Sequence, residues 1–375
     1  MATAPNIASF MGEDLDDLHS CTSVPSSWAR SPSPPTGAGP ATQLHLLSLE
    51  RTRPIGLAPR GHDTAKRPNR RGLSSADAKA IPLPAQIGPF QLGRPLARGG
   101  MSEVVEAFDV DRRRMVALKV MRPSGSGRRA EREAWDREIA ILRAMKHPGV
   151  VPLLDYGIGE GGELYLAMPL LEGRSARGEL VSMRLAGNAA LSATTYDVLL
   201  PAFLDICDTL SYVHGSGVLH CDLKPGNIFI PRGPASNREA PNTRGLLLDW
   251  GVSVLRVLGR PRSEGGRPGG TPGYMAPEQI TGRVAELDAR TDVYGLGCLL
   301  YEFVSWRPVI RRGDPRRALR DALRGNLVPP EQRQSDVPVP TELSAICMKA
   351  LASRPEDRYE SAAEMAATLR TLLGV

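Results

Sequence analysis

Between two apolar runs, the stretch His220-Cys221-Asp222-Leu223-Lys224-Pro225-Gly226-Asn227 brings a carboxylate, an ammonium and an amide close together in the chain. A carboxylate can take a proton from a hydroxyl, an ammonium can neutralise a moving anion, and an amide oxygen can ligate a metal ion. A second carboxylate, Asp249, follows Leu246-Leu247-Leu248 in the tripeptide Asp249-Trp250-Gly251. Upstream, Lys119 closes the apolar run Val116-Ala117-Leu118, and Glu138 lies further on in Arg137-Glu138-Ile139. A lysine in a strand ordinarily reaches for solvent, so Lys119 gains a chemical role only if a carboxylate such as Glu138 holds it. Ahead of both lies Ala97-Arg98-Gly99-Gly100-Met101-Ser102-Glu103-Val104, which by itself reads as a plain hairpin. Phosphoryl transfer needs phosphates covered, metal ions held against them and an acceptor hydroxyl aligned, because its catalysis is positioning plus electrostatics. Each of those parts has a candidate here.

The elements that must position these residues are legible in the apolar spacing. From Ile87 the runs GPFQLGRPLA, EVVEAFDV and RMVALKVM predict three antiparallel strands. Residues 128–146 carry the helical spacing Ile139, Leu142, Met145 and stop at His147-Pro148-Gly149. VVPLLDYGI and LYLAMPLL complete a small five-stranded lobe with one helix. After Glu172 the pattern turns helical over 196–215, 291–305, 314–325, 339–352 and 359–373. The expected class is α+β: a strand-rich lobe of about 87–171, then a helix-rich lobe of about 172–375.

Residues 1–86 are rich in proline, glycine, serine and arginine without lasting periodicity, and are expected to be a disordered tail. The basic cluster Lys66, Arg67, Arg70, Arg71 reads most simply as solvated charge, with a docking partner as the alternative. Leu44, Leu46, Leu47 and Leu49 read as a transient apolar patch in preference to a short docking helix. The net charge of +6 is modest and nucleic acid is not expected as a partner. The start MATAPNIASFMGEDLDDLHS is acidic where a secretory leader is basic, and no unbroken apolar stretch nears 18 residues. Neither a leader nor a membrane span is expected, and the cytoplasm is the expected compartment. The five cysteines, Cys21, Cys207, Cys221, Cys298 and Cys347, have no C-x-x-C spacing, against a zinc site or a disulfide framework. Cys207 and Cys298 are expected in the core.

The motifs above, in this order, resemble a protein kinase domain over residues 87–375, most similar to the eukaryotic-like serine/threonine kinases of bacteria. The resemblance implies a bilobal fold, ATP and Mg²⁺ (or Mn²⁺) as cofactors, and proteins as substrates, with autophosphorylation expected as well. Asp222 then takes the proton of the acceptor hydroxyl and Lys224 neutralises the moving phosphoryl group; lysine at that position is the serine/threonine form. Asn227 and Asp249 hold metal. Lys119 contacts the α- and β-phosphates with Glu138 fixing its rotamer. The glycine-rich loop falls on Ala97, Gly99 and Ser102, so only the middle position is glycine, with Gly100 adding flexibility. Leu96, Val104, Ala117, Met168 and Leu171 complete the nucleotide-binding set. Gly270-Thr271-Pro272-Gly273-Tyr274-Met275-Ala276-Pro277-Glu278 resembles the end of an activation segment. By the same analogy Thr271 bonds toward Asp222 and Lys224, Glu278 pairs with Arg358, and Asp292 braces the catalytic loop.

Three departures matter. Beyond the missing glycines, Cys221 stands where arginine precedes the catalytic aspartate, and Trp250 replaces the usual phenylalanine. In kinases with that arginine, a phosphate on the activation segment neutralises its charge. With Cys221 there, strict dependence on such phosphorylation is not expected, although Ser263 is an evident acceptor near Arg256, Arg260, Arg262 and Arg267. The departures also raise a rival, a pseudokinase serving as a nucleotide-binding or scaffolding module; retention of Lys119, Glu138, Asp222, Asn227 and Asp249 weighs against it. A small-molecule phosphotransferase of related fold is disfavoured by the Ala276-Pro277-Glu278 segment and the Asp292 helix.

Overall fold

Alternating β-branched residues build the first lobe. The computed structural model describes residues 83–98, 102–122, 128–183, 187–232, 243–257, 260–262, 269–310, 315–325, 327–333 and 337–375. Residues 1–82 of the expected tail, Cys21 among them, and Gly99, Gly100, Ser263 and Arg267 therefore lie outside the described residues; residues 83–86 are described and Gln86 already pairs with Gln91, so the first lobe begins a few residues before the expected 87. Strands β1 (Gln86–Ile87), β2 (Phe90–Arg98), β3 (Ser102–Asp109), β4 (Arg114–Met121), β5 (Asp155–Ile158) and β6 (Leu164–Pro169) form one antiparallel sheet in the order β1-β2-β3-β4-β6-β5. The sheet thus has six strands where five were expected. The additional one, β1, is too short to show a period, and it folds back on β2 through Gly88, whose φ of +54° is the left-handed region open to glycine. Ile87 and Phe90 are buried at that turn, and the Phe90 ring meets Tyr165 edge-on at 5.4 Å.

Register decides what each strand residue faces. Val104 lies opposite Lys119, Ala117 opposite Met168, and Lys119 opposite Leu166, so these residues share one sheet face. Val105, Ala107, Val116, Leu118 and Val120 occupy the other face and are buried. Helix α1 (Arg128–Ala144) buries Trp135, Ile139 and Leu142 and carries Glu138 inward with them.

The second lobe begins with β7 (Gly173–Ser175) and α2 (Ala176–Ser182), whose first turn is capped by Ser175 Oγ accepting from the Gly178 N–H at 3.1 Å. Next come α3 (Asn188–Thr194), a π-turn at Thr195–Leu199, and α4 (Leu200–Gly215). Short strands β8 (Val218–Leu219), β9 (Ile228–Pro231), β10 (Leu246–Leu247), β11 (Val254–Val257) and β12 (Arg260–Arg262) follow, then α5 (Pro277–Ile280), α6 (Ala289–Ser305), α7 (Pro315–Arg324), α8 (Thr341–Ala350) and α9 (Ala362–Leu373). The five helices expected from spacing are α4, α6, α7, α8 and α9. Helices α2, α3 and α5 are too short to display a full apolar period.

Helix α6 is buried all round from Thr291 to Ser305, which marks it as the axis of the lobe. Helix α4 packs on α6 and α9 through Phe203, Ile206, Cys207, Leu210 and Val213. By length and composition the helical run Asn188–Gly215 is apolar enough to cross a membrane, yet half of its most apolar window is buried within this lobe. Cys207, Cys221, Cys298 and Cys347 are free and buried, and burial pushes each thiol well above its ordinary range.

Candidate active site

The catalytic loop connects β8 to β9, and a buried carboxylate from α6 sets its shape. Asp292 accepts the His220 N–H at 2.8 Å, the Cys221 N–H at 2.8 Å and His214 Nε2 at 2.8 Å. Burial alone would raise its pKa; the His214 hydrogen bond and charge, together with the loop amide, outweigh that and hold Asp292 below the usual carboxylate range. Cys221 is thereby held at φ +64°, a left-handed conformation that costs a non-glycine residue about 1–2 kcal/mol. Its carbonyl is held as well, by Gln279 Nε2 at 2.8 Å. The Cys221 side chain joins Leu219, Val254 and Leu287 in a small apolar cluster, so a thiol and three hydrocarbons fill the place where arginine would bring charge.

Past this constraint the chain presents Asp222. Its Oδ2 receives Lys224 Nζ at 2.5 Å, its Oδ1 receives the Thr271 hydroxyl at 2.7 Å, and Lys224 Nζ also donates to Thr271 Oγ1 at 2.9 Å. Asn227 Nδ2 donates to the Asp222 carbonyl at 2.9 Å and to Oδ2 at 3.2 Å, which leaves its amide oxygen as the group able to accept a cation. Thr271 reaches the loop because Gly270, at φ +150°, has no Cβ; one there would stand 2.8 Å from the Met275 side chain and 3.2 Å from the Cys221 carbonyl.

Asp249 arrives from the end of β10. The Leu248 N–H donates to the Asn227 carbonyl at 2.8 Å, which sets Asp249 beside Asn227. Like Cys221 it has positive φ, +65°. Lys119 Nζ links it to the first lobe, with Glu138 Oε1 at 2.6 Å, Glu138 Oε2 at 2.7 Å and Asp249 Oδ1 at 3.1 Å. Burial would lower the Lys119 pKa, but the two carboxylates outweigh it, so the ammonium stays protonated above its ordinary range. Burial would likewise raise Asp249, and the charge of Lys119 holds it below the usual range. Trp250 beside it is wholly buried and meets the His220 ring edge-on at 4.9 Å.

Every chemistry-bearing residue singled out in the sequence and described here is brought to this cleft or to its support. Val104, Ala117 and Met168 share the Lys119 sheet face and are partly exposed, as residues lining an open cleft are; Ala97 pairs with Val104 across β2 and β3. Leu96 is exposed at 39%, Ser102 sits at the start of β3, and Leu171 lies just past the end of β6. Glu278 and Arg358 form a buried bidentate pair at 2.8 and 3.0 Å, and Thr291 adds a hydroxyl at 3.0 Å. Removing either charged partner of such a pair costs about 3–5 kcal/mol.

Sequence reasoning missed Gln279 and His214. Gln279 ties the Cys221 carbonyl to the Gly269 carbonyl, 3.1 Å away, while its Oε1 accepts the Ala276 N–H at 3.0 Å. Its adjacency to Glu278 was the one available signal. His214 sits at the end of α4 like any helix-terminal histidine, and no local spacing announces its bond to Asp292.

Among the described residues no group of three or more His, Cys, Asp or Glu side chains could hold a metal alone. The donor set here suits Mg²⁺ or Mn²⁺ shared with phosphates, since such ions take one or two protein carboxylates and complete their shell from substrate and water. Asn227 Oδ1 and Asp249 Oδ2 fit that role, neither receiving a donor among the described residues.

A sheet lobe and a helical lobe joined at a cleft that gathers Lys119, Glu138, Asp222, Asn227 and Asp249 define a protein kinase domain. The sequence profile of the protein kinase domain matches residues 90–368, and the chain belongs to that family. It is 33% identical over 309 residues to the serine/threonine-protein kinase PknD of Chlamydia trachomatis serovar D, an overlap covering 76% of this chain and 31% of that protein. To the serine/threonine-protein kinase PknB of Mycolicibacterium smegmatis it is 34% identical over 286 residues, covering 75% and 42%; to PknB of Mycobacterium leprae it is 32% identical over 283 residues, again covering 75% and 42%. The chain thus matches less than half the length of each of these relatives.

Proposed function

We propose that this protein is a serine/threonine protein kinase that transfers the γ-phosphate of ATP to hydroxyls of protein substrates, itself included. The observation that carries the reading is the pair of linked networks in one cleft: Lys119 between Glu138 and Asp249, and Asp222 between Lys224 and Thr271. The designation of the relatives as serine/threonine kinases supports the residue class. Residues 84–375 form the catalytic domain in this reading, and residues 1–83 a tail.

Bound ATP with its divalent cation supplies the electrophilic phosphoryl group and neutralises the charge that develops on it. Asp222 accepts the proton of the incoming hydroxyl, and the Thr271 and Lys224 bonds aim its carboxylate for that task. Lys224 faces the charge that builds on the transferred group, and Lys119, held by Glu138, orients the phosphates. Asn227 Oδ1 and Asp249 hold the cation. Val104, Ala117, Met168, Leu96 and Leu171 enclose the base apolarly, and Ala97 and Ser102, at the facing ends of β2 and β3, lie toward the phosphates.

The apolar seat of Cys221 supports an enzyme that does not depend strictly on a phosphate in its activation segment. The scatter of the cysteines, without disulfide spacing, favours a reducing compartment, and we place the protein in the cytoplasm. The test is incubation of the full chain with Mg²⁺ and labelled ATP, followed by mapping of phosphorylated residues. Label on serine or threonine in the wild type, and none in Asp222→Asn, is the expected result. ATP binding without transfer would instead establish a pseudokinase.

A further inference from the structure

Away from the cleft, helix α7 carries a strongly charged surface that the proposed reaction does not use. It buries Ala318 and Ala322 and turns Arg316, Arg320 and Arg324 outward, all exposed and four residues apart. Like charges at that spacing repel along a helix, so the stripe opposes the element that carries it. Arg320 and Arg324 make no ion pair or side-chain hydrogen bond among the described residues. Just beyond them stand Leu323, exposed at 43%, and Val328, exposed at 51%. A surface of this kind suits a ligand that interleaves acidic and apolar side chains at helical spacing.

The chain contains such a segment. In Phe10-Met11-Gly12-Glu13-Asp14-Leu15-Asp16-Asp17-Leu18, Met11, Leu15 and Leu18 fall on one face of a helix, with four carboxylates around them. We propose that this acidic N-terminal segment docks on α7 of its own chain. Its carboxylates pair with Arg320 and Arg324, and Leu15 and Leu18 cover Leu323 and Val328. The tether suffices: the roughly 65 residues from Leu18 to Pro84 can reach at most about 200 Å when fully extended, well beyond the diameter implied by a radius of gyration of about 19 Å for a domain this size. A tethered partner meets its site within one molecule, so modest intrinsic affinity is enough. Helix α7 packs on α5, which directly follows Thr271–Ala276, so the docked segment lies next to the end of the activation segment.

The test uses the full chain. Arg320→Lys with Arg324→Lys keeps the charge and supplies amines, which a carbodiimide can join directly to carboxylates. The expected product is an intramolecular cross-link between the peptides holding residues 10–18 and 315–325, at least fivefold weaker in 0.5 M salt. A second measurement is amide hydrogen exchange over 315–325. It should quicken at least threefold in Glu13→Lys/Asp14→Lys/Asp16→Lys/Asp17→Lys and return toward wild type when Arg316→Glu, Arg320→Glu and Arg324→Glu are added. Cross-links only between molecules would assign the surface to a second copy. Cross-links of α7 elsewhere in the chain, or unchanged exchange in the charge-reversed variant, would equally overturn the proposal. None of these residues belongs to the catalytic machinery, so wild-type phosphotransfer to a short peptide shows that each variant is folded.

Discussion

Replacing Asp292 by asparagine keeps the side-chain volume but removes a charge and one acceptor. In the native structure this carboxylate takes three donors, the N–H groups of His220 and Cys221 and His214 Nε2, each at 2.8 Å. Asparagine offers one oxygen, so its NH₂ must face either the Cys221 amide or the His214 and His220 donors. At least one buried donor then meets another donor, which costs about 1–3 kcal/mol, and the remaining bonds lose their charge assistance, a difference of about 1 kcal/mol each. The sum is about 3–5 kcal/mol. The left-handed Cys221 peptide is held partly by the lost bond, so the loop that presents Asp222 loosens as well. Urea unfolding should show a lower midpoint at unchanged slope, and kcat should fall at least tenfold while the KM for ATP moves less than threefold. The linkage has a definite sign. The folded-state pKa of Asp292 lies below its unfolded value, so its stabilisation is complete above the unfolded pKa of about 3.9 and disappears as pH falls through the folded value. The stability gap between wild type and variant should therefore be constant from pH 7 to about pH 5 and narrow below about pH 4. A gap under about 1 kcal/mol at pH 7, with kcat unchanged, would refute the view that Asp292 holds the catalytic loop.

Lys119→Met should lower kcat/KM by several orders of magnitude, since among the described residues no other ammonium bonds Glu138 or Asp249; Glu138→Gln leaving activity intact would break the proposed pairing. Asp249→Asn should abolish phosphotransfer in a protein that still unfolds cooperatively, read by radiolabel transfer and a thermal melt. Deleting residues 1–83 should leave a folded, active domain, because it spares β1 and the Ala85 carbonyl that accepts the Leu92 N–H at 2.9 Å. Non-cooperative melting of that truncated chain would contradict it. Ser263→Ala should reduce kcat/KM by less than tenfold, about 1.4 kcal/mol, when both forms are expressed in a host that permits autophosphorylation. A larger loss would mean that the arginines around Ser263 have taken over the switch.

The sequence by itself was enough for the two-lobed α+β class, the five longest helices after Glu172 and the identity of each polar group in the cleft. These properties are local: apolar period reports which face is buried, and a motif such as His220–Asn227 carries most of its chemistry within one short loop. Lys119 and Glu138 could be paired in advance because a strand and the following helix leave few ways to meet. The sixth strand, β1, was not legible, since two residues show no period and its place depends on the turn at Gly88. Nor were the positive φ values of Cys221 and Asp249, which local preference opposes and which contacts with α6, Gln279 and Lys119 impose. The roles of Gln279 and His214 belong to the same class. Each acts through a partner more than fifty residues away, and only chain packing decides which buried donor meets which buried acceptor.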